Sequence, residues 1–333
     1  MTILHFYLIL SLFFSNLFFL FVIKILSKKY NLYDLPNHRK LHTQPTSYLG
    51  GVLFFVSIFF YLTYFKTLFF ESHFLIYNFS HIFSLIFISS LIFFIGLLDD
   101  KVDLDPLKKT IIFIILISSA VLIDSELVIS KLNFELIKKD FNLKAFSVFF
   151  TILCIYIFIN SCNMYDGADL QLGLYFLTII IYLYFKSSYL NIFTPLLIPL
   201  LIFLFVNFKK FCFMGNNGSH LLSYIIALFI IKFYNMGILL NVEEVLILML
   251  IPGLDLVRLF FNRVLNNKKF FEPDLNHIHH ILGKKRSKNA VQLTILIMNI
   301  SPIILAELTG YYIIGIIFGI LVYYTIVIKR LII

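Results

Sequence analysis

The sequence predicts an all-α polytopic integral membrane protein of about eleven transmembrane helices, with its N-terminus outside and its C-terminus cytoplasmic. Three observations lead there. Of the 333 residues, 60% are hydrophobic and only 14% charged, where a soluble domain carries about 25% charged residues. Apolar runs suited to crossing about 30 Å of hydrocarbon as helices recur at 3–26, 49–70, 79–98, 110–124, 146–160, 170–186, 188–207, 219–236, 241–258, 290–308 and 310–328. Finally, of the 27 Lys and Arg, only Lys66, Lys131, Lys138, Lys139, Lys144, Lys186 and Lys232 fall on one side, and the other twenty mark the opposite side as cytoplasmic.

The first run ends in "SKKYN" without a small-residue cleavage site and is expected to be a retained span rather than a signal peptide. Cys154, Cys162 and Cys212 show neither a CxxC pair nor zinc spacing, so no disulfide framework or metal knuckle is expected. The outer segment 125–144 mixes apolar and charged residues at roughly helical spacing and is expected to be an interfacial helix. No internal repeat or low-complexity linker divides the chain, so residues 1–333 are expected to form a single membrane domain. Its active site would be built from the cytoplasmic segments 27–48, 99–109, 160–169, 208–218 and 259–289.

Those five segments hold the polar residues that membrane topology alone does not explain. "YDLPNHRKLHTQPTSYLGG" carries His38, Arg39, Lys40 and His42, suited to a lipid or substrate phosphate, although a basic loop also sets topology. "GLLDDKVDLDPLKK" collects Asp99, Asp100, Asp103 and Asp105. On a continuing helix Asp99 and Asp103 would share a face, as hard oxygen ligands for Mg²⁺ or as a solvated helix end. In "NSCNMYDGADLQLG", Asn160, Asn163, Asp166 and Asp169 recur every three residues, a spacing that fits base and ribose recognition or an Asx-rich turn. "FCFMGNNGSHLLSY" places small residues before a helix start, where free N–H groups suit an anion and Ser219 could serve as a plain N-cap. The last segment contributes Asp255, Arg258 and Arg263 and then Asp274, His277, His279 and His280, suited to pyrophosphate, to a metal or to acid–base chemistry.

In this order, from about Asp34 to His280, the five motifs resemble the polyprenyl-phosphate N-acetylhexosamine-1-phosphate transferases, the MraY/WecA-type members of glycosyltransferase family 4. "PDLNHIHH" is the most discriminating and looks like the branch using simple UDP-N-acetylhexosamines, closest to the UDP-N-acetylglucosamine:undecaprenyl-phosphate enzymes. The resemblance implies transfer of a sugar 1-phosphate from a UDP-sugar to undecaprenyl phosphate in the bacterial cytoplasmic membrane, with release of UMP. A cell-surface glycan would be started there. Mg²⁺, or Mn²⁺ in its place, is the implied cofactor; membrane lipids are the implied surroundings, nucleic acid is not a partner, and a homodimer is left open.

Carried over by position, Asp99, Asp100, Lys109, His279 and His280 match the family's catalytic residues. Arg39, Lys40, Asn163, Asp166, Gly167, Asp169, Phe213, Arg263 and His277 match its substrate-binding residues. Asn216, Asp99 and Asp100 match its metal-binding positions, with Asn216 standing where the family usually has Asp and Leu170 where it usually has Gly. The loss of that carboxylate keeps a non-catalytic paralogue, binding prenyl phosphate or UDP-sugar, as the alternative. UDP-MurNAc-pentapeptide is a further alternative donor. A transporter would require ionisable residues inside the spans, which are nearly free of them.

Overall fold

The computed structural model describes residues 3–36, 44–68, 79–187, 190–267, 276–284 and 286–328. Within them every predicted run falls on a helix. In order these are α1 (Ile3–Tyr30), α2 (Gly51–Leu68), α3 (Phe79–Ile82) running through a π turn into α4 (Ser89–Val102), α5 (Pro106–Ile123), α6 (Ser147–Tyr165), α7 (Gln171–Ser187) and α8 (Leu190–Phe208). Then come α9 (Gly215–Asn235), α10 (Val242–Leu265), the short α11 (Ile278–Gly283), α12 (Lys288–Thr309) and α13 (Tyr312–Tyr323). Six helical segments among the described residues are long and apolar enough to cross a membrane, and the protein is an all-α, multi-pass membrane protein.

The least apolar of those six segments is α9, and it is the central one. Every residue from Asn217 to Tyr234 is buried, with α2, α4, α6 and α7 packed around it. Because protein rather than lipid surrounds α9, it can carry Ser219, His220, Ser223 and Lys232 at a cost a lipid-facing helix would not tolerate. The contact with α2 is backbone to backbone: a Cβ on Gly51 would lie 2.4 Å from the Gly218 nitrogen.

Segment 125–144 corrects the sequence expectation. It is an antiparallel hairpin, β3 (Lys131–Phe134) paired with β4 (Lys139–Asn142), and not an interfacial helix. Cross-strand partners decide this: Lys131 pairs with Asp140 at 2.6 Å, Phe134 meets Phe141 edge to face, and the hairpin docks through the Asn133 N–H on the Tyr234 hydroxyl at 2.8 Å. The docking bond, between residues 101 apart, leaves no trace in local periodicity.

Two ionic clusters close the same end of the bundle. Lys186 bridges Glu244 and Glu307 at 3.2 and 2.9 Å, with the Tyr182 and Tyr312 hydroxyls completing the group and joining α7, α10, α12 and α13. Lys232 on α9 lies 2.8 Å from Asp124, 2.7 Å from His81 Nδ1 and 3.7 Å from Glu126.

Candidate active site

The opposite end of the bundle brings all five motifs around one cavity of about 1360 Å³. The knitting begins in the backbone. A short ladder, β1 (Tyr33–Asp34) with β2 (Thr46–Ser47), continues as Phe213 donates to the Ser47 carbonyl at 2.7 Å, while Gly50 donates to Phe213 O at 2.9 Å and Gly51 to Met214 O at 3.2 Å. The first and fourth motifs are therefore one structure, and Phe213 is fixed at the cavity wall. Arg39 and Lys40 lie outside the described residues, as does Asp274.

The dense carboxylates divide into distinct duties. Asp105 is the N-cap of α5, accepting from the Leu107 and Lys108 N–H groups at 3.1 Å each, with Pro106 at the first helical position. The helix carrying the aspartate pair stops at Val102 because Asp103 turns left-handed, at φ 51°. The face expected to be shared by Asp99 and Asp103 therefore does not form, although Asp103 still lines the cavity.

Asp100 reaches across to α9 instead. Its Oδ1 accepts from the Asn216 N–H at 2.8 Å, and its Oδ2 from the Asn217 N–H at 3.0 Å and the Asn217 side-chain amide at 2.6 Å. This carboxylate satisfies the open N–H groups at the positive end of the central helix. It also explains why α9 begins at Gly215, four residues before Ser219; Ser219 is not the cap but donates to Asn163 Oδ1 at 2.9 Å. Gly215 sits at φ +70°, where a Cβ would come within 2.3 Å of the Tyr48 carbonyl oxygen.

Asp99 is almost wholly buried and gathers three donors: Lys109 Nζ at 2.9 Å, the Asn216 side-chain amide at 2.8 Å and the Leu104 N–H at 3.1 Å. Lys109 stands between Asp99 and the cavity that it lines. Behind Asp99, His220 Nε2 lies 4.0 Å from the same carboxylate oxygen, and its ring packs edge-on against Phe113. Sequence reasoning passed over His220 because a single His in an apolar run carries no spacing signal.

Helices α6 and α10 run further than expected, so Asn160, Asn163 and Arg263 are helical rather than in loops. Asp166 caps the end of α6. Burial first, then the nearby charges of Asp100 and Asp169, push its carboxyl up to about 7. The turn that follows places Leu170 at φ 64°, the left-handed conformation that a Gly would adopt without strain. That turn is held by the Leu170 N–H donating to Asn207 Oδ1 at 2.7 Å, with the Asn207 amide donating to Cys212 O at 2.9 Å, and by Gln292 donating to Asp169 O at 2.7 Å. Asn207 and Gln292 were not singled out from the sequence, since both act on backbone groups distant along the chain.

The histidine motif closes the far side. Arg258 ties Asp255 at 2.7 Å, the Tyr323 hydroxyl at 2.8 Å and the Asn276 carbonyl, fixing the entry to α11. His277 stacks on His279, and His279 lies against Gly167 so closely that a Cβ there would fall 1.7 Å from its Cε1. Burial, and then the neighbouring His280 and His277, hold His279 well below the usual imidazole range, so the ring is neutral at pH 7.

Two places could be considered for a cation. Among the described residues, His81, Asp124 and Glu126 have ligand atoms within 4.8 Å of one another. The Lys232 ammonium already sits among them, and sixteen residues of α9 put that cluster about 24 Å from Asn216. The cavity end fits a divalent cation better: Asp100 and Asp166 line it with hard oxygens, Asn216 adds a carboxamide, and Asp99 stands just behind them on Lys109 and the Asn216 amide.

Comparison with known proteins bears on this constellation directly. The family described as glycosyl transferase family 4 matches residues 82–234, which include the aspartate pair, the asparagine–aspartate turn and the start of α9. The undecaprenyl-phosphate alpha-N-acetylglucosaminyl 1-phosphate transferase of Escherichia coli K12 is 26% identical over 288 residues, covering 82% of this chain and 75% of that one. A Bacillus subtilis 168 protein named "Probable undecaprenyl-phosphate N-acetylglucosaminyl 1-phosphate transferase" is 26% identical over 320 residues, covering 92% and 86%. The matched segment carries three of the five motifs gathered at the cavity, and over it the chain is similar to glycosyl transferase family 4.

Proposed function

We propose that the protein transfers N-acetylhexosamine 1-phosphate, with N-acetylglucosamine as the sugar, from a UDP-sugar to undecaprenyl phosphate and releases UMP, thereby starting a lipid-linked cell-surface glycan. The observation that carries this reading is the convergence of five motifs, far apart in sequence, on one cavity at the end of the bundle. The relatives' printed names supply the acceptor and the sugar. The excess of Lys and Arg at this end supports a cytoplasmic orientation in the bacterial inner membrane, the side on which nucleotide sugars are found.

In this reaction an oxygen of the lipid phosphate attacks the sugar-bearing phosphorus of the UDP-sugar. The bond from that phosphorus to the bridging oxygen breaks, and UMP leaves with the electron pair. Two anions must meet, so catalysis consists mainly of positioning and charge neutralisation. Lys109, oriented by Asp99, brings one positive charge to the cavity, and Arg263 and Arg286 line it from the histidine side. Asn163, Asp166, Gly167, Asp169 and Phe213 hold the nucleotide, while His277, His279 and His280 contact the sugar pyrophosphate through imidazole N–H groups. Arg39 and Lys40 are assigned to the lipid phosphate on sequence grounds. A Mg²⁺ ion held by Asp99, Asp100 and Asn216, together with Asp166, would neutralise the pyrophosphate oxygens.

The test is incubation of the purified protein in detergent with undecaprenyl phosphate, Mg²⁺ and a panel of UDP-sugars. UMP release with UDP-N-acetylglucosamine is the expected result. Binding of UDP-sugar without turnover under any metal would establish a non-catalytic binding protein instead.

A further inference from the structure

Six carboxamides line the cavity, and five of them have hydrogen-bonding work within the protein. Asn160 donates to Tyr156 O at 2.8 Å, Asn163 accepts from Ser219 at 2.9 Å, Asn207 holds Leu170 and Cys212, Asn216 donates to Asp99 at 2.8 Å, and Gln292 donates to Asp169 O at 2.7 Å. Gln171 is the exception. It is 2% exposed, yet neither its amide nitrogen nor its carbonyl oxygen has a hydrogen-bond partner. The Tyr165 hydroxyl, bonded to Asn299 at 3.1 and 3.3 Å, interacts with the Gln171 side chain without completing a well-formed hydrogen bond to either of its ends. A buried carboxamide with both ends open is unfavourable unless something that enters the cavity completes it.

We infer that Gln171 reads the pyrimidine base of the nucleotide donor. A primary carboxamide presents a donor and an acceptor side by side in one plane, which matches the adjacent N–H and C=O of a uracil edge. The acetamido group of the sugar is a trans amide whose N–H and C=O point in opposite directions, so it cannot engage both ends of Gln171 together. The position agrees: Gln171 opens α7, directly after Leu170, whose N–H is tethered to Asn207, which in turn holds the carbonyl of Cys212 immediately before Phe213. One rigid chain of hydrogen bonds thereby links the amide edge to an aromatic ring on the same cavity wall. This inference rests on a uridine nucleotide being the donor.

Isothermal titration of the purified protein with UMP tests the assignment without requiring turnover, using Gln171→Leu and Gln171→Glu. Both variants should bind UMP about tenfold more weakly or worse. Their KM for undecaprenyl phosphate should stay within about twofold of the unaltered protein's, and Gln171→Leu should melt no lower because it removes an unsatisfied group. Unchanged UMP affinity overturns the inference. So does a loss confined to N-acetylglucosamine 1-phosphate, which would assign Gln171 to the sugar, or a clear drop in melting temperature for Gln171→Leu, which would make it a structural residue. If the unaltered protein itself binds no UMP and releases none, the donor assignment falls and this inference with it.

Discussion

Asp100 holds Asn217 twice, taking its backbone N–H at 3.0 Å and its side-chain amide at 2.6 Å on the same carboxylate oxygen. This fastens the helix that bears the aspartate pair to the start of the central helix, and it makes one residue responsible for both the architecture and the charge of the site. Asp100→Asn must turn an NH₂ toward one of these donors. Loss of a charge-assisted cap should cost about 1–3 kcal/mol and lower UMP release by roughly 10²-fold or more. Melting in detergent measures the first effect; a variant that melts with the unaltered protein would show that the cap does not contribute.

Gly167 and His279 form a second pair in which one residue exists to make room for the other. A methyl group at Gly167 would enter the imidazole ring, so Gly167→Ala should expel His279 from the cavity wall. The variant should reproduce the loss of activity of His279→Ala, and the double variant should be no worse than either single one. Losses that multiply would mean that the ring's position does not depend on Gly167.

Asn216→Asp separates the needs of the metal from those of the empty site. The native amide donates to Asp99 at 2.8 Å; a carboxylate there would face another carboxylate, and without metal the protein should lose about 1–2 kcal/mol of stability. With Mg²⁺ the added charge should help, lowering the concentration needed for half-maximal UMP release and restoring the melting temperature. If the metal dependence is untouched, position 216 is not a ligand.

Asp166 sets a pH dependence whose sign follows from its raised carboxyl, about 7 in the fold against 3.8 when free. The folded state keeps the proton more tightly than the unfolded chain, so this contribution is full below about pH 4 and is lost as pH rises through 7. His279 works oppositely, but only below its free value of 6.5, where the unfolded chain takes up a proton that the buried ring refuses. His279 is still half protonated in the unfolded chain at pH 6.5, so the Asp166 effect is read as the stability difference between the unaltered protein and Asp166→Asn, which should fall by up to about 1 kcal/mol between pH 6.5 and 8 in metal-free buffer. Mg²⁺ should offset that fall. A difference that does not change with pH would show that Asp166 is already neutralised.

The sequence by itself determined the class of the fold, since apolar runs of membrane-crossing length report a property of each segment alone. It also singled out short motifs that the fold gathers at one cavity, because Asp100, Asp166, Gly167 and His279 stand in recognisable strings beside helix ends. Only the tertiary structure decided what the neighbours of those residues do. The β3–β4 hairpin in place of an interfacial helix and the start of α9 at Gly215 both depend on partners supplied by folding. Asn207, His220, Gln171 and Gln292 gain their significance the same way. The hydrogen bonds of Asn207 to Leu170 and of Gln292 to Asp169 join segments more than thirty residues apart, and no pattern within one segment encodes them.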